Sequence, residues 1–459
     1  MGKYFGTDGF RGEAGVTLTS HHAYQIGRFL GWYYKKGDQT KKVRAVVGKD
    51  TRRSSYMFEY AIVAGLTASG ADVYMLHVTT TPSVSYVTHQ DDFDIGVMIS
   101  ASHNPFYDNG IKLVNRYGEK IDDDTIRDIE LYLDGAWDAL GLSGGDIPYA
   151  TGEDVGRIVD YASGRNRYIG YLISLSRYSF RDFSVGLDCA NGSAWMIAKS
   201  VFDALGAKTY TIGVTPDGLN INENIGSTHI ENLASFVREN HLNIGFAFDG
   251  DADRCLAVDE MGNIITGDHI LYLLAENMKK RGELYQDTVV TTIMSNLGLY
   301  QALDRLGLKY EQTAVGDRYV YENMRENGFT LGGEQSGHII LSKYATTGDG
   351  ILTAIKVMEA VIASKLPLSK LVSAVTMLPQ VMKNVRVESK AQAKENPKVK
   401  EAVATVREKL SGIGRILVRE SGTEPVIRVM VEAPTLEICE KSVQQVIDVM
   451  ESEGLVKDV

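Results

Sequence analysis

Asp249, Asp251 and Asp253 stand at alternate positions in FDGDADR, directly after an apolar run. A loop that curls at Gly250 can converge three carboxylates on one hard cation. Mg²⁺ suits that set, because its shell keeps room for water or a phosphate oxygen. Aligned on a calcium-binding loop the stretch is a near miss: Glu260 falls at position 12, but Arg254 occupies the position that needs glycine. A solvated acidic turn is the plain alternative. The missing oxygen could come from Ser102, in ISASHNPFYDNGIKL (residues 99–113), if that hydroxyl carried a phosphate. There an apolar run, 95–99, stops at small and polar residues. Ser102 follows with His103, Asn104 and free backbone N–H groups that can hold an anion, and Lys112 comes ten residues later. In isolation such a turn could equally be a simple helix cap.

Two further loops fit a phosphorylated polyol. In GGEQSGH, Glu334, Ser336 and His338 alternate, so an extended segment would offer an acceptor, a hydroxyl and an imidazole on one side. A glycine-rich hairpin with a structural histidine is the other reading. In RESGTEPVIRVM, Arg419, Ser421, Gly422 and Thr423 precede a strand that carries Arg428. Two arginines, hydroxyls and a glycine-freed backbone make a phosphate cradle without a P-loop. Near the start, GTDGFRG places Arg11 in a turn with three glycines.

The elements around these loops alternate in type. VRAVVGKDTR reads as a strand entering a polar loop, 55–66 as an amphipathic helix and 71–78 as a strand, giving a layered domain that ends near Pro148. Asp122 to Asp124 are expected at the solvated start of a helix through Leu133. The pattern restarts with strands at 184–187, 207–212 and 243–248 and helices at 194–205 and 231–240. A third round has helices at 270–279, from 299 and at 350–364, with strands at 288–294 and 329–331. Three such units suggest an internal repeat, without clear residue identity between them. From Leu378 the pattern changes to strands (385–387, 415–418, 426–432) with two charged helices, 399–410 and 436–450, a smaller α+β domain. The expected division is 1–150, 151–254, 255–369 and 370–459.

With 459 residues, 44 % hydrophobic and 23 % charged, the chain has the composition of a soluble protein of several domains. A net charge of −11 argues against general nucleic-acid binding or attachment to anionic membranes, so an anionic substrate needs a local basic pocket. Cys189, Cys255 and Cys439 are far apart in apolar surroundings, as expected of reduced core residues in the cytoplasm. The first residues lack a signal-like apolar stretch, and no uncharged run reaches membrane-spanning length.

GTDGFRG, ISASHNPFYDNGIKL, FDGDADR, GGEQSGH and RESGTEP, in that order from residue 6 to residue 425, resemble the signature loops of the α-D-phosphohexomutases. GGEQSGH is nearer the branch acting on glucosamine phosphates. The resemblance implies an α/β fold, with three similar mixed α/β domains and a smaller C-terminal α+β domain around a central cleft, each giving one loop. It implies a phosphoserine at Ser102 and one Mg²⁺ held by Ser102, Asp249, Asp251 and Asp253. Sugar hydroxyls would meet Glu334 and Ser336, and the non-reacting phosphate would meet Arg419, Ser421, Gly422, Thr423 and Arg428. Arg11, Lys112 and His338 match the family's candidate acid, base and charge-stabilising positions, with His103, Asn104 and Arg254 supporting. Where many members carry lysine this chain has Ala314, and Arg318 could replace it. The implied substrate is a small hexosamine phosphate, with glucosamine 1,6-bisphosphate as intermediate or activator. The same chemistry on glucose or mannose phosphates, a non-catalytic sugar-phosphate binder and a homodimer remain open.

Overall fold

In the computed structural model, which describes residues 2–38, 40–142, 144–420 and 426–457, the chain forms two compact units. One holds residues 1–294 and 308–373, the other 295–307 and 374–459. The first unit contains three sheets. A seven-stranded sheet runs, in spatial order, Phe5–Gly6, Gly9–Glu13, Asp108–Asn115, Ile95–Ile99, Arg44–Lys49, Asp72–Val78 and Ile158–Asp160. Its central strands Arg44–Lys49 and Ile95–Ile99 are buried almost throughout, which is why they read as unbroken apolar runs rather than as alternating ones. The second sheet is Ile264–Ile265, Cys255–Val258, Ile244–Phe248, Ser184–Asp188 and Lys208–Ile212; the third is Lys309–Thr313, Thr288–Thr292, Leu331–Gly333 and Ile339–Leu341.

One topological move repeats in all three. A strand that is parallel to its neighbour ends in a motif loop, and the next strand returns antiparallel beside it. Ile95–Ile99 returns as Asp108–Asn115, Ile244–Phe248 as Cys255–Val258, and Leu331–Gly333 as Ile339–Leu341. The second unit repeats the pairing: Arg415–Glu420 lies antiparallel to Val426–Glu432, which also pairs with Gln380–Arg386. Helices Pro397–Lys409 and Leu436–Ser452 bury Val399, Val406, Val443 and Val446 in one core with this three-stranded sheet.

The expected α/β class and smaller final domain are present, but two elements lie across the expected divisions. Strand Ile158–Asp160, beyond residue 150, pairs parallel with Asp72–Val78 and completes the first sheet. Helix Leu297–Arg305, taken from the sequence as part of the third round, belongs to the second unit, where the Leu297 N–H donates to Glu432 Oε2 at 2.9 Å. Short length and half-exposed residues hide the first element.

Helices Ser20–Tyr33 and Arg53–Ala68 pack against the first sheet with their backbones touching. A Cβ on Gly65 would stand 2.1 Å from the Tyr24 carbonyl oxygen, and one on Gly27 would stand 2.3 Å from that of Ile62. Backbone cannot give way as a side-chain tip can, so Gly65→Ala must push the helices apart. The expected cost is about 1–3 kcal/mol, seen as a lower calorimetric midpoint; an unchanged midpoint would show that the helix contact is not tight.

Candidate active site

The four motif segments of the first unit meet at one buried cluster. Ser102 follows the strand Ile95–Ile99 and takes φ +53°, a left-handed conformation uncommon for a residue with a side chain. Its hydroxyl donates to Asp249 Oδ2 at 2.5 Å and lies 3.3 Å from His103 Nδ1. Gly250 allows this approach between loops, because a Cβ there would stand 2.5 Å from the Ser102 carbonyl oxygen.

Asp249, Asp251 and Asp253 each bring a carboxylate oxygen within 4.8 Å of the others, and all three are buried. Asp251 Oδ1 and Asp253 Oδ1 have no hydrogen-bond partner among the described residues, although an orphaned buried oxygen is costly. Converging hard oxygens, two of them left open, fit a metal ion. Burial, then the charges of Asp253 and Asp251, raises the Asp249 carboxyl well above its ordinary range. Burial and Asp253 also raise Asp251, against the pull of Lys112. Asp253 goes the other way: burial acts upward, but Lys112 and then His338 outweigh it and hold the carboxyl well below the usual range.

Lys112 comes from the return strand Asp108–Asn115, opposite Met98. Its ammonium lies 2.7 Å from Asp251 Oδ2, 2.9 Å from Asp8 and 3.3 Å from Asp253 Oδ2. Burial opposes its charge, yet these carboxylates keep it protonated far beyond the ordinary lysine value. Arg11 pairs with Asp8 and donates to Asn104 Oδ1 at 3.4 Å. Arg254, nearly enclosed, is kept charged by Asp249 and Asp253 against the cost of burial, and its backbone N–H donates to Asp249 Oδ1 at 3.2 Å. His103 differs in being held neutral, its pKa pushed down to about 3 by burial and then by Arg254 and Arg11.

Residues 334–338 form a tight turn rather than the extended segment expected for them. The Glu334 N–H donates to the His338 carbonyl at 3.0 Å, the Gly337 N–H to that of Glu334 at 3.0 Å, and Gly337 takes φ +90°. Alternation therefore does not place Glu334, Ser336 and His338 on one side; a glycine turn does the positioning. Glu334 Oε1 accepts from the Gly316 N–H at 3.1 Å, and the buried Ser336 hydroxyl oxygen has no hydrogen-bond partner among the described residues. His338 packs against the metal loop, with Nδ1 3.8 Å from Asp253 Oδ1 and Nε2 3.4 Å from Asp317 Oδ2. Burial disfavours its charge, but these carboxylates raise its pKa to about 9. The Gly348 N–H, 2.9 Å from Nε2, favours a bare nitrogen there; two carboxylates outweigh one neutral hydrogen bond in a buried site.

Arg318, the expected replacement for the lysine absent at position 314, lies on helix Asp317–Asn327. Its guanidinium is engaged by Asp123 at 2.6 Å and Glu322 at 2.8 Å. Asp123 is thus an ion-pair partner as well as part of a helix start; Asp122 provides the cap, accepting from the Thr125 N–H at 2.8 Å. In the second unit, Arg419 and Arg428 face each other in register across antiparallel strands, and burial followed by Arg428 lowers the Arg419 pKa. Like charges directly opposed on a sheet are unfavourable and suit an anion. Ser421, Gly422 and Thr423 lie outside the described residues.

Several polar residues of the cluster were not among the expected site residues. Asp8 joins Arg11, Lys112 and Lys120; Thr81 donates its hydroxyl to Asp251; Arg52 and Asn222 hold the serine loop from behind. GTDGFRG contains Asp8, so its carboxylate next to the glycines was a usable signal.

Four domain profiles described as phosphoglucomutase/phosphomannomutase match in order: domain I over residues 2–136, domain II over 166–262, domain III over 266–377 and the C-terminal domain over 382–449. A phosphoglucosamine mutase from Lachnospira eligens is 64 % identical over 454 residues, 99 % of each chain. The Bacillus subtilis phosphoglucosamine mutase is 48 % identical over 453 residues, again 99 % of each. Among solved structures, a phosphoglucomutase/phosphomannomutase family protein from Burkholderia thailandensis superposes with a TM-score of 0.79 at 23 % identity, covering 99 % of this chain and 98 % of that one. With all four domain profiles matched in order around one serine and three aspartates, the chain belongs to the phosphoglucomutase/phosphomannomutase family.

Proposed function

We propose that this enzyme interconverts glucosamine 6-phosphate and glucosamine 1-phosphate. The observation that carries the substrate assignment is identity of 64 % and 48 % to phosphoglucosamine mutases over essentially the whole chain. Ser102 is read as the phosphoryl carrier. Its Oγ–P bond breaks as a bond forms from that phosphorus to the free 1- or 6-hydroxyl of the sugar, giving glucosamine 1,6-bisphosphate. The hydroxyl proton leaves to a neighbouring base and the serine oxygen takes up a proton. After the intermediate turns round, its other phosphate returns a phosphoryl group to Ser102.

Asp249, Asp251 and Asp253, with Ser102, would hold the metal, and Mg²⁺ suits hard oxygen donors that leave room for phosphate and water. When bound, the ion spreads the negative charge of the transferred phosphoryl group. Lys112 and Arg11 place positive charge on the same side, and His338 is positioned to exchange a proton or stabilise charge. Glu334 and Ser336 are assigned to sugar hydroxyls, in line with the carboxylate and the unsatisfied hydroxyl of that turn. Arg419 and Arg428, with Ser421, Gly422 and Thr423, are assigned to the phosphate that is not reacting. His103 and Asn104 shape the serine loop, and Arg254 offsets the carboxylates.

Removing the carrier should separate chemistry from binding. Ser102→Ala is expected to lower kcat by several powers of ten while glucosamine 6-phosphate still binds, measured by turnover and calorimetry; near-normal turnover would refute the assignment.

Asp251→Asn removes one of three converging charges at constant size. Titration of Mg²⁺ against the apo-protein should show affinity reduced about tenfold or more, with activity partly recovered at high Mg²⁺. Equal affinity in both proteins would make the cluster structural.

Glucosamine, glucose and mannose 6-phosphates share the hydroxyls assigned to Glu334, so Glu334→Ala should depress kcat/KM for all three together. In direct competition, glucosamine 6-phosphate is expected to win. A glucose or mannose phosphate ahead by about tenfold would move the substrate assignment while leaving the serine and metal assignments in place.

A further inference from the structure

The carbonyl oxygens of Ser102 and Asn104 are each held twice, by side chains from two different sheets. From the end of strand Arg44–Lys49, Arg52 Nη2 donates to the Ser102 carbonyl at 3.1 Å and to the Asn104 carbonyl at 2.6 Å. From the loop after Lys208–Ile212, Asn222 Nδ2 donates to the same two oxygens at 2.9 and 3.1 Å. Both side chains are buried.

Each donor is itself fixed. Arg52 pairs with buried Asp50, whose Oδ1 also accepts from the Ser55 hydroxyl at 2.6 Å and from the Arg52 N–H at 3.0 Å. Asn222 takes φ +58°, which asparagine tolerates better than most residues, and its N–H donates to the Ala190 carbonyl at 2.9 Å. Asp188 secures that loop by accepting from the Ala190 and Gly226 N–H groups at 2.9 and 2.8 Å.

We propose that Asn222 and Arg52 are positioning residues for phosphoryl transfer, clamping the serine loop so that the Ser102 hydroxyl faces Asp249; this rests on the reading of Ser102 as the phosphoryl carrier. Two features favour positioning over plain stabilisation. Asn222 Oδ1 and Arg52 Nε are buried without hydrogen-bond partners among the described residues, an arrangement that costs stability and is tolerated where the opposite end of the side chain is needed. Ser102 is in addition held at a positive φ, a conformation that persists only where the surroundings over-determine it. Relaxing that φ would swing the Ser102 carbonyl, which is the oxygen both donors hold. Asn222 also lies in a loop that leaves the sheet carrying the three aspartates, and its N–H is bonded to the Ala190 carbonyl in the loop after that sheet's strand Ser184–Asp188, so it ties the serine loop to the metal loop's own scaffold.

The test replaces the donor and keeps the shape. Asn222→Asp turns a donor toward two carbonyls into an acceptor, and Asn222→Ala removes the donor without repulsion. Losing two hydrogen bonds at about 1 kcal/mol each corresponds to about 30-fold, so Asn222→Ala should lower kcat by about that factor with KM within about threefold. Asn222→Asp should lower it further. Both are measured on folded protein checked by circular dichroism, with Ser102 phosphate quantified by intact mass. If Asn222→Asp fails to fold, Asn222→Ala and Arg52→Lys give the same kcat-against-KM split. A kcat per phosphorylated, folded site equal to that of the unsubstituted chain would overturn the positioning role alone. Lack of phosphate on Ser102 in the unsubstituted chain, with Ser102→Ala still active, would overturn the carrier reading and the clamp with it.

Discussion

Three carboxylates held within 4.8 Å of one another, out of water, set the terms for everything around them. At that spacing and an effective dielectric near 20, each pair repels by about 3–4 kcal/mol, more than a typical hydrogen bond returns. The loop between Ile244–Phe248 and Cys255–Val258 survives because neighbours offset the charge unequally. Lys112 reaches Asp251 and Asp253 but not Asp249, and the carboxyls diverge accordingly: Asp253 is held down while Asp249 is pushed up and receives the Ser102 hydroxyl. A divalent cation placed among them would remove the conflict that Lys112 relieves in part. The cluster is therefore poised for positive charge, beside the Ser102 hydroxyl that Asp249 accepts.

The fold serves this by repeating one connection. A loop between antiparallel neighbours can present residues from its own turn and from the return strand, and both kinds are used here. Ser102 sits in the turn and Lys112 on the return strand; Asp249, Asp251 and Asp253 sit in the turn; Arg419 and Arg428 sit on the outgoing and returning strands of the second unit. Because the flanking strands are hydrogen-bonded to each other, such a loop is anchored at both ends. Where one loop must touch another, backbone does it: the Thr81 N–H meets the Asp251 carbonyl at 3.0 Å, and the Cys255 N–H meets that of Gly337 at 3.0 Å.

How much of this was legible depended on whether chemistry and composition coincided. Ser102, Lys112 and the three aspartates lie in compact motifs at the ends of buried apolar strands, and both strand and loop can be read from residue types. Strand Lys309–Thr313 (KYEQT) and helix Asp317–Asn327 (DRYVYENMREN) escaped because their sequences are mostly polar and half exposed, so no apolar period marks them. The turn at 334–338 was misjudged because alternation of Glu334, Ser336 and His338 looks alike in a strand and in a glycine turn. Asn222 and Arg52 were invisible for a different reason: they act through contacts to residues 50 to 120 positions away, and nothing local distinguishes a buried amide from a loop asparagine.

On the function proposed above, the division of charge between the loops bears on how one chain could serve both ends of a sugar. A bisphosphate presents two similar dianions, one to be transferred and one to be held. On that reading the aspartate cluster, with a cation, Lys112 and Arg11, would meet the group whose charge changes as bonds break. Arg419 and Arg428, in register on neighbouring strands, offer positive charge that on the same reading would suit a group whose charge stays constant. A loop of the first kind must be rigid to a fraction of an ångström, because proximity effects are lost with small displacements, and Ser102 is accordingly held by strained backbone and doubly bonded carbonyls. The restraint seen here is concentrated at Ser102, where on that reading bonds would change.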